Sequence, residues 1–135
     1  LDYSKFINAA RAIKEANAPV PNAAIMSPRE DETVALFADT TGQPLRRPDA
    51  LAGWQFLTSS QIPTNLTKGT ATDASEVYIG DFSQFTFFMR EGVSVQLLNE
   101  LYAATGEVGF VCHTRVDVAA AYTKAFAVIN GVSVA

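Results

Sequence analysis

The chain has 135 residues, 48% hydrophobic and 18% charged, with a net charge of −4 at neutral pH. This is the composition of one packed globular domain that buries roughly two-thirds of its unfolded surface, which excludes a disordered tail. The acidic balance also argues against a nucleic-acid-binding module, which must neutralise phosphates with clustered cations. Here the basic residues are scattered and Arg46-Arg47 is their only adjacent pair.

Cys112 is the single cysteine, leaving no intramolecular disulfide and no multi-cysteine metal site. No window is apolar enough to span a bilayer as a helix, and no signal-peptide pattern opens the chain. Leu1 in place of an initiating methionine suggests a fragment or processed product. Asn65-Leu66-Thr67 fits a glycosylation sequon, which has meaning only on a secreted protein.

The first element is a helix predicted over 3–17, with Phe6, Ala10 and Ile13 at helical spacing, Ile7 widening the stripe, and Asp2 as its N-cap. Asn17 begins the exit toward Pro19 and Pro21, and Ala23-Ala24-Ile25-Met26 reads as a short buried strand. Ser27-Pro28-Arg29-Glu30 then combines a capping box with proline at the first helical position. The helix it starts is predicted over 28–38, with Glu30, Asp31 and Glu32 at its positive dipole end and Asp39-Thr40-Thr41-Gly42 at its close.

A loop follows to Leu51, then a strand over 54–58 closed by Ile62-Pro63, then a polar stretch over 64–75 that reads as an exposed, mobile loop. Val77-Tyr78-Ile79 is a strand turning at Gly80-Asp81-Phe82. Phe85–Met89 and Val93–Leu97, joined at Arg90-Glu91-Gly92, predict a hairpin. After a turn over 99–106, Val108, Phe110, Cys112, Val116 and Val118 alternate with Gly109, His113, Arg115 and Asp117 in a long strand over 107–120. A final strand lies within 122–130. Together these elements predict an α+β fold, a mixed sheet with flanking helices.

Candidate chemistry is sparse. His113 is the only histidine, so a hydrolase would have to pair it with Ser83 or Cys112. Consecutive strand residues face opposite sides of a sheet, which sets Cys112 away from His113. The consecutive Glu30, Asp31 and Glu32 splay around a helical turn, and no histidine supports them as metal ligands. No glycine pattern forms a phosphate-binding loop. Arg115 and Asp117 share a strand face, where they meet either cross-strand neighbours or another subunit. No catalytic, cofactor-binding or metal residue is therefore assigned, and no cofactor is expected.

Several landmarks fall in a distinctive order: Ala24-Ile25-Met26-Ser27-Pro28-Arg29, Asp39-Thr40-Thr41-Gly42-Gln43-Pro44-Leu45, Leu51-Ala52-Gly53-Trp54-Gln55, and Ile62-Pro63. Gly80-Asp81-Phe82-Ser83, Arg90-Glu91-Gly92-Val93-Ser94-Val95, Arg115-Val116-Asp117 and Lys124-Ala125-Phe126-Ala127-Val128-Ile129 complete it. This series resembles the C-terminal half of the major capsid proteins of tailed double-stranded DNA bacteriophages. The resemblance implies an axial-type domain over 1–106 and strands returning to a peripheral-type domain over 107–135. The N-terminal arm, extended loop and spine helix of that family have no counterpart here.

The resemblance further implies a non-enzymatic structural protein that assembles with copies of itself, in pentamers and hexamers, into an icosahedral shell enclosing the DNA genome. Scaffold or portal proteins would be further partners, without specific nucleic-acid or membrane binding by these residues. The location implied is the virion, assembled in the host cytoplasm. Two alternatives stand beside it: a cellular nanocompartment shell subunit of the same fold, and the small hydrolase using Ser83 or Cys112 with His113.

Overall fold

The computed structural model describes residues 1–98 and 100–133. Asn99, with which the expected turn over 99–106 opens, and residues 134–135 lie outside the described residues. The chain forms two compact units, Leu1–Gln84 with Tyr122–Ala135, and Phe85–Ala121.

The first unit opens with α1 (Tyr3–Glu15), which buries Phe6 and Ile13 along one stripe. It ends earlier than predicted because Asn17 takes a left-handed φ of 55°, and Ala18 N–H closes back on Ile13 O at 3.2 Å. Tyr122 Oη donates to Ala16 O at 3.0 Å and satisfies a carbonyl at this end. Asp2 occupies the N-cap position, but its carboxylate accepts from Ser4 Oγ at 2.8 Å instead of capping the helix.

Strand β1 (Ala23–Met26) leads directly into α2 (Pro28–Ala35). Half of the expected capping box forms: Ser27 Oγ accepts from Glu30 N–H at 3.4 Å. The carboxylate of Glu30 turns to Arg29, whose Nε and Nη2 reach its Oε1 at 3.0 and 2.8 Å. Arg29 Nη2 also donates to Asp73 O at 2.9 Å, linking this helix start to a distant strand. The helix stops three residues short of its predicted end. Beyond it, Asp39 gathers Thr41 N–H, Thr41 Oγ1 and Gln43 N–H at 2.8, 2.6 and 3.0 Å, and Gly42 takes a φ of 82°.

After α2 the chain returns as β2 (Gln55–Thr58), parallel to β1. The expected mobile loop over 64–75 is instead ordered: β3 (Leu66–Lys68) pairs antiparallel with the start of β4 (Ala71–Gly80). Its outer half is exposed and so shows no apolar alternation to read, yet backbone pairing satisfies its amides, and Ala74 and Ser75 are buried. The last strand, β7 (Phe126–Val132), starts later than predicted because Thr123–Ala125 forms a 3-10 turn. The mixed sheet runs β2-β1-β4-β3, with β7 antiparallel to β4.

Pairing decides which side chains share a face. Ala24 lies opposite both Ile79 and Phe56, and Val77 opposite Ile129. These residues form the inner face on which Phe6 and Ile13 pack, with Met26, Val34, Leu51, Trp54 and Val132 completing the core. The Phe6 and Phe56 rings stack at 5.5 Å, and the Arg47 guanidinium lies 3.9 Å over Phe56. Arg47, read from sequence as a loop cation, therefore seals the edge of the core.

The second unit is a ribbon of two antiparallel strands, β5 (Phe85–Leu98) and β6 (Gly109–Ala120). The hairpin expected within 85–97 is absent: Arg90-Glu91-Gly92 does not turn the chain but is absorbed in one continuous strand. The register shifts between Met89 and Glu91 and again between Glu91 and Ser94, so two additional β5 residues are accommodated as bulges. Among the described residues β6 pairs with β5 and with no strand of the larger sheet.

Candidate functional site

Register makes the ribbon two-faced. Directly opposed residues share a face, and both irregularities fall on β5 while β6 stays regular. Two one-residue insertions restore the original alternation, so Phe85, Phe87 and Met89 face the same side as Val95 and Leu97. From β6, Ala120, Val118, Val116, Cys112 and Phe110 lie opposite them on that side.

Apart from Thr114 beside the bulges this face is apolar, and its large side chains range from 43% exposed at Phe85 to 65% at Phe110. A contiguous exposed apolar surface of this kind marks a site that another surface covers. Cys112 belongs to it as a small hydrophobe, exposed among apolar neighbours.

The opposite face carries the polar groups. Glu91 lies across from Arg115, and Ser94 from His113. Glu91 Oε2 is 3.4 Å from Arg115 Nε, Glu91 Oε1 is 3.6 Å from His113 Nε2, and Glu91 O accepts from Thr114 Oγ1 at 3.0 Å. Ser94 Oγ is 2.8 Å from His113 Nε2 and donates to Glu91 Oε1 at 3.2 Å. The cross-strand partner expected for Arg115 is thus Glu91, seated between the two bulges.

These distances bear directly on the hydrolase alternative. The serine that meets His113 is Ser94, which the sequence reading did not single out; the two lie 19 residues apart, joined only by strand register. A nucleophilic relay needs the carboxylate on one imidazole nitrogen and the hydroxyl on the other. Here Glu91 and Ser94 both address Nε2. Both partners therefore crowd one imidazole nitrogen instead of bracketing the ring. The cluster works as a clasp across the bulges. Cys112 projects to the other face, opposite Val95.

Ser83, the other proposed nucleophile, serves a different junction in the first unit. Its N–H and Oγ both bond Asp81 Oδ1, at 3.1 and 2.8 Å, while Gln84 Nε2 donates to Oδ2 at 3.3 Å. Asn22 Nδ2 donates to the same Oδ1 at 2.8 Å, and Asn22 Oδ1 accepts from Phe82 N–H at 3.1 Å. The Ser83 hydroxyl foremost, with its backbone amide and Gln84, holds the Asp81 carboxyl below the usual carboxylate range. Asp81 N–H donates to Ala125 O at 3.2 Å, and a methyl group on Gly80 would lie 2.6 Å from that same oxygen. Gly80-Asp81-Phe82-Ser83 is therefore a structural knot joining the start of β1 and the end of β4 to the start of β7.

Among the described residues no group of three or more His, Cys, Asp or Glu could hold a metal ion. No helix among the described residues is long and apolar enough to cross a membrane.

A family model described as the phage capsid family matches residues 2–131. No curated protein matches the chain. Among solved structures, the capsid of an empty GTA particle computed with C5 symmetry superposes with a TM-score of 0.68 at 17% identity, over 96% of this chain and 44% of that one. A chain from Mycobacterium phage Ogopogo superposes with a TM-score of 0.61 at 18% identity, over 95% of this chain and 49% of that one. The chain thus spans less than half the length of either neighbour and shares their fold across nearly all of its own.

Proposed function

This chain belongs to the phage capsid family, and from that premise we propose that it is the C-terminal portion of a structural subunit that assembles with copies of itself into the closed shell of a virion. The observation that carries this reading, beside the family match, is the ribbon face: a long apolar surface left open on an otherwise packed chain. A shell subunit works by presenting complementary surfaces under symmetry and needs no reactive group. In this reading Leu1–Gln84 with Tyr122–Ala135 is the axial-type part, and Phe85–Ala121 is the ribbon of the peripheral-type part. Polypeptide outside residues 1–135, corresponding to the other half of the longer neighbours, completes the subunit and covers the apolar face.

The finer assignments follow the same reading: pentamers and hexamers of the subunit, scaffold or portal proteins as accessory partners, DNA as cargo, and assembly in the host cytoplasm. The acidic balance of the chain suits a container that must not adhere to the DNA it holds. Light scattering and electron microscopy of the full-length polypeptide test this. Closed particles of uniform diameter are the expected result. A polypeptide that stays monomeric under all assembly conditions, with and without its scaffold, would defeat it.

A further inference from the structure

We infer that Asn130-Gly131 is a spontaneous modification site, where loss of the Asn130 side-chain amide gives aspartate or isoaspartate and loosens the pairing of β7 with β4. The chemistry is intrinsic to the chain and independent of shell assembly.

Three features single out this asparagine. It alone is followed by glycine: Asn8, Asn17 and Asn22 precede alanine, Asn65 precedes leucine and Asn99 precedes glutamate. Glycine at the next position leaves its backbone nitrogen unhindered by any side chain. Second, Asn130 and Gly131 are both exposed, and among the described residues the Asn130 carboxamide has no hydrogen bond to hold it.

Third, the ladder is irregular at this point. Asn130 pairs with Glu76 and Val132 with Ser75, so Gly131 is an extra residue without a partner of its own, at a left-handed φ of 74°. A regular strand would hold both residues extended, and the bulge relaxes that restraint where a ring must close. Position 131 is also tied to glycine, because a side chain there would be strained at this φ and its Cβ would lie 2.9 Å from Lys68 Cγ.

The Gly131 backbone nitrogen attacks Asn130 Cγ and gives up its proton to solvent base. The departing amide nitrogen takes a proton from water and leaves as ammonia, which closes a cyclic succinimide. A water molecule then opens the ring: attack at Cγ gives aspartate, and attack at the main-chain carbonyl gives isoaspartate, whose backbone runs through Cγ. Overall one water enters and one ammonia leaves, with no oxidant or reductant.

Either product places a new carboxylate opposite Glu76, whose Oε2 already accepts from Tyr78 Oη at 2.7 Å. Like charges directly opposed across two strands destabilise the pair. Isoaspartate also lengthens the backbone by a methylene beside Val132, a buried core residue paired with Ser75.

Peptide mapping by mass spectrometry, with fragmentation that separates aspartate from isoaspartate, tests the site on the full-length polypeptide held for days at mildly alkaline pH. Conversion is expected at Asn130 ahead of every other asparagine, and faster as pH rises. It should be lost in Asn130→Gln, whose longer side chain closes a larger ring far more slowly. An Asn130 that keeps its amide in the folded chain while the denatured chain converts would overturn the proposal. Equal conversion at asparagines not followed by glycine would do the same. Asn130→Asp, which carries the product charge from the start, tests the consequence: its thermal midpoint should lie about 1–5 °C below that of wild type. An unchanged midpoint would overturn the loosening of β7.

Discussion

Asn22 and Asp81, separated by 59 residues, meet side chain to side chain, with Asn22 Nδ2 donating to Asp81 Oδ1 at 2.8 Å. That oxygen also receives both the amide and the hydroxyl of Ser83. Replacing Asp81 with alanine leaves these donors without their acceptor, whereas asparagine keeps the shape and one carbonyl oxygen. Thermal melts should show a lower midpoint for both variants and a clearly larger drop for Asp81→Ala. Equal midpoints for wild type and Asp81→Ala would mean the knot adds nothing.

The same carboxylate predicts an acid limb in the stability profile. Hydrogen bonds depress the folded-state pKa of Asp81, chiefly that from Ser83, and likewise that of Asp39, chiefly that from Thr41. In the window between the depressed folded value and the unfolded value of about 3.9, the unfolded chain binds more protons, so stability rises with pH there. The contribution is fully present above about pH 4 and lost as pH falls through the folded value. Denaturant midpoints taken from pH 2 to 6 should show this limb flattened in Asp81→Asn. An unchanged slope would refute the assignment.

Core packing sets a larger effect. Phe6 is fully buried and stacks on Phe56, so Phe6→Ala should cost about 3–5 kcal/mol in chemical denaturation. Gly80→Ala forces a methyl against Ala125 O and the Phe126 ring, and should cost about 1–3 kcal/mol. A neutral Gly80→Ala would show that β4 and β7 separate freely there.

The clasp across the bulges should be weak, because its members are partly exposed: the side chains of Glu91 and Arg115 are 37% and 63% accessible. A double-mutant cycle on this pair should return about 0.2–1 kcal/mol, falling as salt is raised. A salt-insensitive coupling of several kcal/mol would mean that the pair is desolvated in the intact protein.

His113→Ala should alter the ribbon locally and remove no hydrolytic turnover, because Ser94 and Glu91 share one imidazole nitrogen. Activity-based probe labelling of the wild type that disappears in His113→Ala would overturn this.

What the sequence determined by itself were the features that depend on near neighbours. The helix starts at Tyr3 and Pro28, the strand at Ala23–Met26 and the alternation from Phe110 to Val118 could all be read directly, because helical spacing, an N-cap serine and period-two patterning are local. Helix ends were less legible: termination after Glu15 depends on the left-handed turn at Asn17 and a hydroxyl from Tyr122, 106 residues away. The hairpin Leu66–Gly80 was hidden because its outer half is polar on both faces and is held by backbone pairing, which leaves no mark on side-chain pattern. Arg90-Glu91-Gly92 carries the composition of a turn, and only a partner strand supplied later in the chain makes it a pair of bulges. Strand register likewise brought His113 to Ser94 and Glu91 and gathered the apolar side chains onto one face, since which residues stand opposite one another is fixed by long-range pairing that no local window contains.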